Sequence, residues 1–460
     1  MSTTENRTPD HSAPDHGAPN HGAPAWLPSW TLSGAIPAAV VVAIVFSAAG
    51  LVFSRVDIVL LALPLIVCVA LAWERRPQAD APSSITANIH SGSGGSEDRQ
   101  HAGMLRYTID IETPDAAEHV QLRLSVLSGA SSEYTITGST AGVITGRVPI
   151  IHSGPQELLS AQYRLIGHDA AFFSSVSRLH PVRRAVAPSF TPIDSLPLPP
   201  VLHGLTGTHN SSRPGDGGEF RDIHSFAPGD RLRRIDWKAT ARRAQTPGEL
   251  YVRRTTATAD ATVLLVVDSR DDVGENVASW TNASPALRGE TSMDIARRAA
   301  SSIAAGYIRA GDRVGFQDLA SSARVIQHGG GSRHLARVLR AIELTGPSGP
   351  PLYRVRAPMV VPGALIYVLS TFLDDEAGRM ATLWRAAGHR VIAVDVLPPA
   401  KLNRLPKEEV LAHRIIMMER ADRIRLLSSY GIDVFAWEHA GRSATLPAVL
   451  RTISRRGVAR

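Results

Sequence analysis

The sequence predicts a multidomain chain: a two-helix transmembrane hairpin, an antiparallel β-sandwich-like domain, and an α/β domain with a mainly parallel sheet. Three patterns predict this order. Two long apolar runs lie near the amino terminus, apolar and polar residues then alternate one by one, and strand-like and helix-like segments alternate in the last part. The predicted parts are a His- and Pro-rich tail at 1–29, the hairpin at 30–76, a β-rich domain at 83–195, a weakly periodic segment at 196–260 and the α/β domain at 261–460.

The composition suits folded domains and excludes several kinds of site. Of the 460 residues, 44% are hydrophobic and 20% are charged, which is enough apolar material for buried cores. Cys68 is the single cysteine, so the 460 residues can form neither an internal disulfide nor a paired-cysteine zinc site. The formal net charge is +7, but arginines are interleaved with aspartates and glutamates, so the sequence disfavours nucleic acid as a partner.

The first part of the chain predicts a disordered tail followed by a membrane hairpin. A five-residue unit begins at His11 and recurs twice, and its density of proline and glycine cannot build a core. Gly34–Ser54 carries no charge, and Val56–Trp73 carries only Asp57 at its edge. Each run approaches the roughly 20 residues that cross a bilayer, and the short break between them predicts a hairpin. A buried core hairpin of a soluble protein is the alternative.

Basic residues after the second run predict the orientation of the hairpin. Arg75 and Arg76 follow it directly, and positively charged flanks face the cytoplasm. We therefore expect a two-pass protein of the plasma membrane, with the lipid bilayer as a partner and with both termini and the large domains in the cytoplasm.

The β-rich segment shows the period of two that is typical of half-buried strands. Apolar residues recur at every second position over Leu105–Ile111 and again over Val120–Val126. Further strands are predicted at Glu133–Thr137, Val143–Ile150 and Gln162–Ile166.

The last part of the chain alternates between strands and helices. Thr262–Val267 is an apolar strand that ends in Asp268 and Ser269, and Thr291 with Asp294 predicts a capping box at the start of a helix. Further predicted strands are Arg313–Gln317, Ala364–Leu369, Arg390–Val396 and Ile432–Trp437, and further predicted helices are Arg333–Ile342, Asp375–Gly388, Glu408–Tyr430 and Thr445–Arg455. In an open parallel sheet, ligand sites lie beyond the carboxyl ends of the strands, which draws attention to Asp268.

A dense charged block precedes this domain. It contains Glu219-Phe220, then Phe226-Ala-Pro-Gly-Asp230, then Arg233-Arg-Ile-Asp-Trp-Lys-Ala-Thr-Ala-Arg242, then Glu249-Leu-Tyr-Val-Arg253. This order resembles the signature of the domain-of-unknown-function 58 family, and Gly167–Phe173 resembles an upstream family segment with its Pro-Phe-Gly part altered. The resemblance spans the chain. It implies a membrane-anchored protein whose α/β domain is similar to a von Willebrand factor A fold, with a MoxR-type AAA+ ATPase as partner in chaperone-like complex assembly.

Two interpretations of the signature block stay open. In the first, Arg233, Arg242 and Arg243 form ion pairs with Asp230, Asp236 and Glu219, and Trp237 is an apolar anchor, so that the block is a structural clasp. In the second, the block is a face that binds a partner. The candidate residues for either role are Glu219, Asp230, Arg233, Asp236, Trp237, Arg242 and Arg253.

The resemblance also implies a degenerate cation site after the first α/β strand. Von Willebrand A domains often hold a divalent cation at an Asp-x-Ser-x-Ser motif, and here Arg270 replaces the first serine. The candidate ligands are Asp268, Asp272, Thr371 and Asp374, but Thr371 stands where an aspartate is expected. Arg270 could instead place its own charge beside Asp268. We therefore expect no cofactor, with Mg²⁺ or Ca²⁺ as the alternative.

The sequence thus predicts a non-enzymatic, membrane-anchored interaction or scaffold protein. It contains no Gly-x-Ser-x-Gly elbow, no His-Glu-x-x-His motif and no P-loop. One alternative is a divalent-metal-dependent hydrolase that uses Asp268, Asp272 and Asp374. Another is a metal-dependent, adhesion-type ligand-binding protein, which would need the large domains outside the cell.

Overall fold

The computed structural model describes residues 29–77, 83–90, 103–126, 130–137, 142–193, 196–199, 202, 207, 209–280, 289–321, 325–347, 353–403, 405–437 and 450–453. All of the predicted amino-terminal tail except Ser29 lies outside these residues. The described residues form two compact units. The first holds those up to Pro149 together with Glu157–Val182, and the second holds Ile150–Gln156 together with those from Arg183 onward.

The first unit contains two apolar helices near its start, as the sequence predicts. Helix α1 spans Ala35–Val52 and helix α2 spans Val56–Glu74. Their mean hydropathies are 2.5 and 2.6, so both are long and apolar enough to cross a membrane. They pack closely at Gly50, where a Cβ atom would collide with the side chain of Val59. Small residues allow this approach between apolar helices.

Antiparallel sheets form the rest of the first unit. One sheet has the order β1-β8-β7-β4-β5 with β9 paired to β7, and the other has the order β2-β3-β6. The strands of the larger sheet are β1 (Trp30–Leu32), β4 (Ala117–Val126), β5 (Ser131–Thr137), β7 (Gly154–Gly167), β8 (Phe172–Ser174) and β9 (His180–Val186), and those of the smaller are β2 (Ser84–His90), β3 (Met104–Glu112) and β6 (Gly142–Pro149). Alternate residues such as Ile109 and Leu122 are buried, which confirms the period of two predicted from the sequence.

A charged two-stranded ribbon begins the part of the second unit that carries the signature block. Strand β10 (His209–Ser225) pairs antiparallel with β11 (Tyr251–Ala259), and helix α3 (Trp237–Arg243) lies between them in the chain. The sequence did not predict this ribbon. Its pairing is interrupted by three register shifts, so the apolar residues of β10 do not keep a regular period of two.

A six-stranded, mainly parallel sheet follows, in the order β14-β13-β12-β15-β16-β17. The predicted elements are present as β12 (Thr262–Val267), α4 (Ser292–Arg309), β13 (Arg313–Asp318), α5 (Ser332–Leu344), β15 (Leu365–Ser370), α6 (Glu376–Ala386), β16 (Arg390–Asp395), α7 (Lys407–Ser429) and β17 (Asp433–Ala436). Strand β14 (Val325–Gly329), which pairs antiparallel with β13, was not predicted. Of the predicted closing helix, the described residues 450–453 are helical.

Helices cover both faces of this sheet. Val263 and Leu265 of β12 point to a core that includes α4 and α5, whereas Leu264 and Val266 point to a core that includes α6 and Leu427 of α7. Each fully buried Val or Leu side chain stabilises the fold by about 1.5–3 kcal/mol relative to an exposed one. The central strands are therefore rigid supports for the loops that follow them.

Helix α4 begins at a polar cluster around Asp294. Thr291 and Asp294 form the predicted capping box. The Asp294 carboxylate also accepts hydrogen bonds from the backbone N–H and hydroxyl of Ser153, at 2.7 and 2.8 Å, and its Oδ2 lies 2.7 Å from Nδ1 of His152. Burial favours the neutral carboxyl, but the bonds from His152 and Ser153 outweigh it and lower the pKa of Asp294.

We expect Asp294→Asn to lower the free energy of unfolding by about 1.5–3 kcal/mol, because it removes a charged acceptor from several buried donors. The folded-state pKa of Asp294 is depressed, so its contribution is complete above the ordinary value of 3.8 and is lost as the pH falls through the lowered value. Hydrogen exchange at the start of α4, followed by mass spectrometry on the full chain, measures the effect. Asp422→Asn, at an exposed carboxylate of α7, is the control. Equal exchange in wild type and Asp294→Asn would contradict the expectation.

Candidate functional site

Polar residues from neighbouring parallel strands meet at one edge of the six-stranded sheet. Strand β12 leads into Asp268 and Ser269, β13 ends at Asp318, and β15 leads into Thr371. The Ser269 hydroxyl donates to Asp318 at 2.7 Å, and the Asp268 N–H donates to the Leu369 carbonyl at 2.9 Å. We call this region the strand-end edge.

A buried arginine joins the two strand-end loops. The Arg270 guanidinium donates from Nε and one terminal nitrogen to the two carboxylate oxygens of Asp268, both at 2.8 Å. The same terminal nitrogen donates to Asp374 at 2.9 Å, and the other lies 2.7 Å from the second oxygen of Asp374. The Arg270 side chain is 3% exposed. The pairing of Arg270 with Asp268 that the sequence suggested is therefore confirmed, and Asp374 joins it.

Asp268 has a further partner that completes its hydrogen bonding. The Ser370 hydroxyl donates to Asp268 at 2.8 Å and accepts from the backbone N–H of Phe372 at 3.1 Å. Phe372 has a φ of +54°, a left-handed conformation that a non-glycine residue rarely adopts. The sharp turn after β15 is therefore held by the same carboxylate that binds Arg270.

The charges at this edge shift each other's pKa values. Burial opposes the charge on Arg270, but the carboxylates of Asp268 and Asp374 outweigh it and raise the pKa of Arg270. Burial raises the pKa of Asp271, and repulsion from Asp268 and Asp374 raises it further. Burial also raises the pKa of Asp374, although Arg270 opposes this shift. Arg270 is thus the cation that balances a group of crowded acids.

The structure brings together only part of the predicted ligand set. Asp268 and Asp374 meet at Arg270. The Asp272 carboxylate instead accepts from the Met293 N–H at 3.3 Å, and the Thr371 hydroxyl lies 3.4 Å from Asp271. Within the described ranges, no group of three or more His, Cys, Asp or Glu side chains is placed to hold a metal ion. The Arg270 guanidinium occupies the space between Asp268 and Asp374.

Helix α7 supplies two arginines that the sequence analysis missed. Arg420 donates from Nε to the Thr371 carbonyl at 2.7 Å and pairs with Asp395. Arg423 donates to the Leu373 carbonyl at 3.0 Å and pairs with Asp375. These arginines are three residues apart and so share one face of α7, a spacing that could have marked them.

The acids of the signature block serve its own turns. Asp236 is the N-cap of α3 and accepts from the Ala239 N–H at 2.9 Å. Asp230 accepts from the Ala227 N–H at 3.0 Å and lies 3.6 Å from Arg254. Among the described residues, neither of these two carboxylates is ion-paired with Arg233, Arg242 or Arg243.

The basic and aromatic residues of the block lie at the surface. In the part of the chain that the structure describes, Arg233 and Arg242 form no ion pair, and Glu219 is exposed. Trp237, the proposed apolar anchor, is 68% exposed. The Arg253 guanidinium lies over the Phe220 ring, 5.3 Å from its centroid.

Part of the signature block lines an open groove of about 530 Å³, within the roughly 300–1,000 Å³ typical of ligand pockets. Its lining includes Arg233, Arg234, Ile235, Asp236, Trp237 and Arg253. We call it the signature groove. It is an exposed concavity that combines a large aromatic side chain with several guanidinium groups.

We expect Arg270→Met to lower the free energy of unfolding by about 3–5 kcal/mol, because it leaves the buried Asp268 carboxylate without its cation. Adding Asp268→Asn should recover most of this loss, since the asparagine side chain still accepts from Ser370. Chemical denaturation of the full chain in detergent measures both variants. Arg425→Met, at an exposed arginine of α7, should have little effect. A double variant as unstable as Arg270→Met would contradict this account.

Comparison with known proteins adds one finding to this geometry. No curated protein and no solved structure matches the chain. Residues 222–413 match a family model described as Protein of unknown function DUF58. This range contains α3, the signature groove residues and both loops of the strand-end edge. The match supports assignment of this part of the chain to the DUF58 family.

Proposed function

We propose that this protein is a non-enzymatic scaffold, anchored in the plasma membrane by two helices, that works with a MoxR-type AAA+ ATPase in chaperone-like complex assembly. In this proposal both termini and the large domains are cytoplasmic. The β-rich sheets form a sandwich-like domain, and the α/β part is a von Willebrand A-like domain. The mainly parallel sheet, with helices on both faces and Asp268 at a strand end, supports this comparison.

The surface of the amino-terminal helices supports membrane anchoring. The buried residues of α1 are Ala43 and Gly50, and that of α2 is Ala62. A core helix of a soluble protein would bury most of its apolar side chains. Leaving these two helices in water would expose a large apolar surface, which is unfavourable in free energy. Insertion into a bilayer removes this surface from water.

The Arg270 ion pairs support a role without metal chemistry. A metal-dependent hydrolase needs an open coordination position for its substrate or a water molecule. In this chain the guanidinium lies between the acids that would hold such an ion. The strand-end edge is better suited to present a rigid surface.

The exposure of the signature block is the observation that carries the proposal. A block with only a structural role would bury Trp237 and pair its arginines. Instead, Trp237 is 68% exposed and Arg233 lies exposed beside it. Aromatic residues and arginines are the types that contribute most to protein–protein binding energy. The block therefore has the character of a binding face.

We expect the full chain, purified in detergent, to form a stable complex with the MoxR-type ATPase of its own source on size-exclusion chromatography. Trp237→Ala should weaken this complex by about tenfold or more, because it removes an aromatic contact. Tyr430→Ala, at a 55% exposed aromatic outside the block, is the matched control. Failure to form a complex in any nucleotide state would overturn the ATPase partner.

Equilibrium dialysis tests the metal-dependent alternatives. Wild type should retain no stoichiometric Mg²⁺ or Ca²⁺, because Arg270 already supplies the cation at the strand-end edge. Arg270→Ser combined with Thr371→Asp removes this charge and adds a hard oxygen ligand, so this variant should take up the ion. Stoichiometric metal in wild type would overturn the proposal of a site without metal and favour the metal-dependent alternatives. No uptake by the double variant would count against a former cation site.

A further inference from the structure

We infer that the signature groove binds an acidic, extended segment of a protein partner, with carboxylates on Arg233 and Arg253 and an apolar side chain against Trp237. This inference rests on the proposed function for the existence of a partner. It adds which chemical groups of that partner the groove would bind.

The charge of the groove selects an anionic ligand. Among the described residues that line it are Arg233, Arg234 and Arg253, and Asp236 carries the one carboxylate of that set. That carboxylate accepts from the Ala239 N–H as the cap of α3, so its orientation is set by the helix. An acidic segment can therefore approach Arg233 and Arg253, which have no carboxylate partner among the described residues.

Arg253 is held in a position that leaves its hydrogen-bond donors available. Its guanidinium lies over the Phe220 ring, and this contact uses the flat face of the group. The N–H donors lie in the plane of a guanidinium and point outward from its edge. Among the described residues Arg253 has no carboxylate partner, and its side chain is exposed. It is oriented to bind a carboxylate with two parallel bonds.

Trp237 supplies the apolar part of the site. It is the first residue of α3, directly after the capping residue Asp236, so its backbone is held by the start of the helix. Its ring lines the groove and is 68% exposed. A large exposed aromatic beside guanidinium groups offers both apolar contact and orientation to a bound chain.

The shape of the site favours a peptide segment over a bilayer surface or a nucleic acid. The groove is a concavity with Ile235 among its lining residues, which a single extended chain can enter and a bilayer surface, flat on this scale, cannot. Nucleic-acid binding requires a continuous basic track along the backbone. Here Asp222 and Asp230 interrupt the arginines along the chain.

The test uses the full chain in neutral-lipid nanodiscs and a short fluorescein-labelled peptide of glutamate, glycine and leucine. Fluorescence anisotropy should detect binding that weakens as salt is raised. The matched peptide with glutamine in place of glutamate should bind about tenfold or more weakly, because it loses the charge-assisted bonds. Arg233→Glu and Trp237→Ala should each weaken glutamate-peptide binding by a similar factor, whereas Arg425→Glu, with the same change in net charge, should not.

Each other outcome overturns the inference. Equal binding of the glutamate and glutamine peptides would exclude carboxylate recognition, and equal binding by wild type and Arg233→Glu would place the site elsewhere. Displacement of the peptide by phosphatidylglycerol nanodiscs or by single-stranded DNA, but not by excess unlabelled peptide, would assign the groove to those ligands. Because the peptide assay contains no ATPase, it separates failure of this inference from failure of the proposed ATPase partner.

Discussion

The ion pairs of Arg270 set the arrangement of the strand-end edge. The guanidinium bonds to Asp268 after β12 and to Asp374 after β15, and its side chain is 3% exposed. Carboxylates crowded in a poorly hydrated region repel each other and favour protonation. A covalently attached cation removes much of that repulsion without a dissociable ligand. The two loops are therefore joined by ion pairs within the chain itself.

The loop after β15 is held from its other side by α7. Arg420 and Arg423 donate to the carbonyls of Thr371 and Leu373, while Ser370 bonds to Asp268. Backbone carbonyls that would otherwise accept hydrogen bonds from water thus accept them from side chains. The left-handed backbone of Phe372 is kept by this surrounding set of bonds, because an isolated turn of this kind would relax. Rigidity at this edge arises from side chains on three separate elements.

The acidic side chains of the signature block have different partners from those of the strand-end edge. Its acids are used by nearby backbone groups: Asp236 caps α3 and Asp230 closes a turn. Several of its arginines lie in solvent, and Trp237 lies among them. A chain segment with interleaved charges in sequence thereby becomes a positively charged surface in space. The asymmetry follows from geometry, since a short aspartate side chain reaches the backbone of its own turn and a long arginine side chain extends away from it.

The sequence by itself determined the elements that carry a local signal. Apolar runs located β12, β15 and the two helices of the hairpin, alternation located β3 and β4, and the pair Thr291 and Asp294 located the capping box of α4, because these signals depend on near neighbours. The ribbon of β10 and β11 gave no such signal because bulges interrupt its pairing. The edge strand β14 gave none because it is only half-buried. Only the tertiary structure decided that Asp374 joins Arg270, 104 residues away, and that Trp237 is exposed. Whether a side chain is buried depends on elements that are distant in the chain. Local periodicity does not predict the positions of those elements.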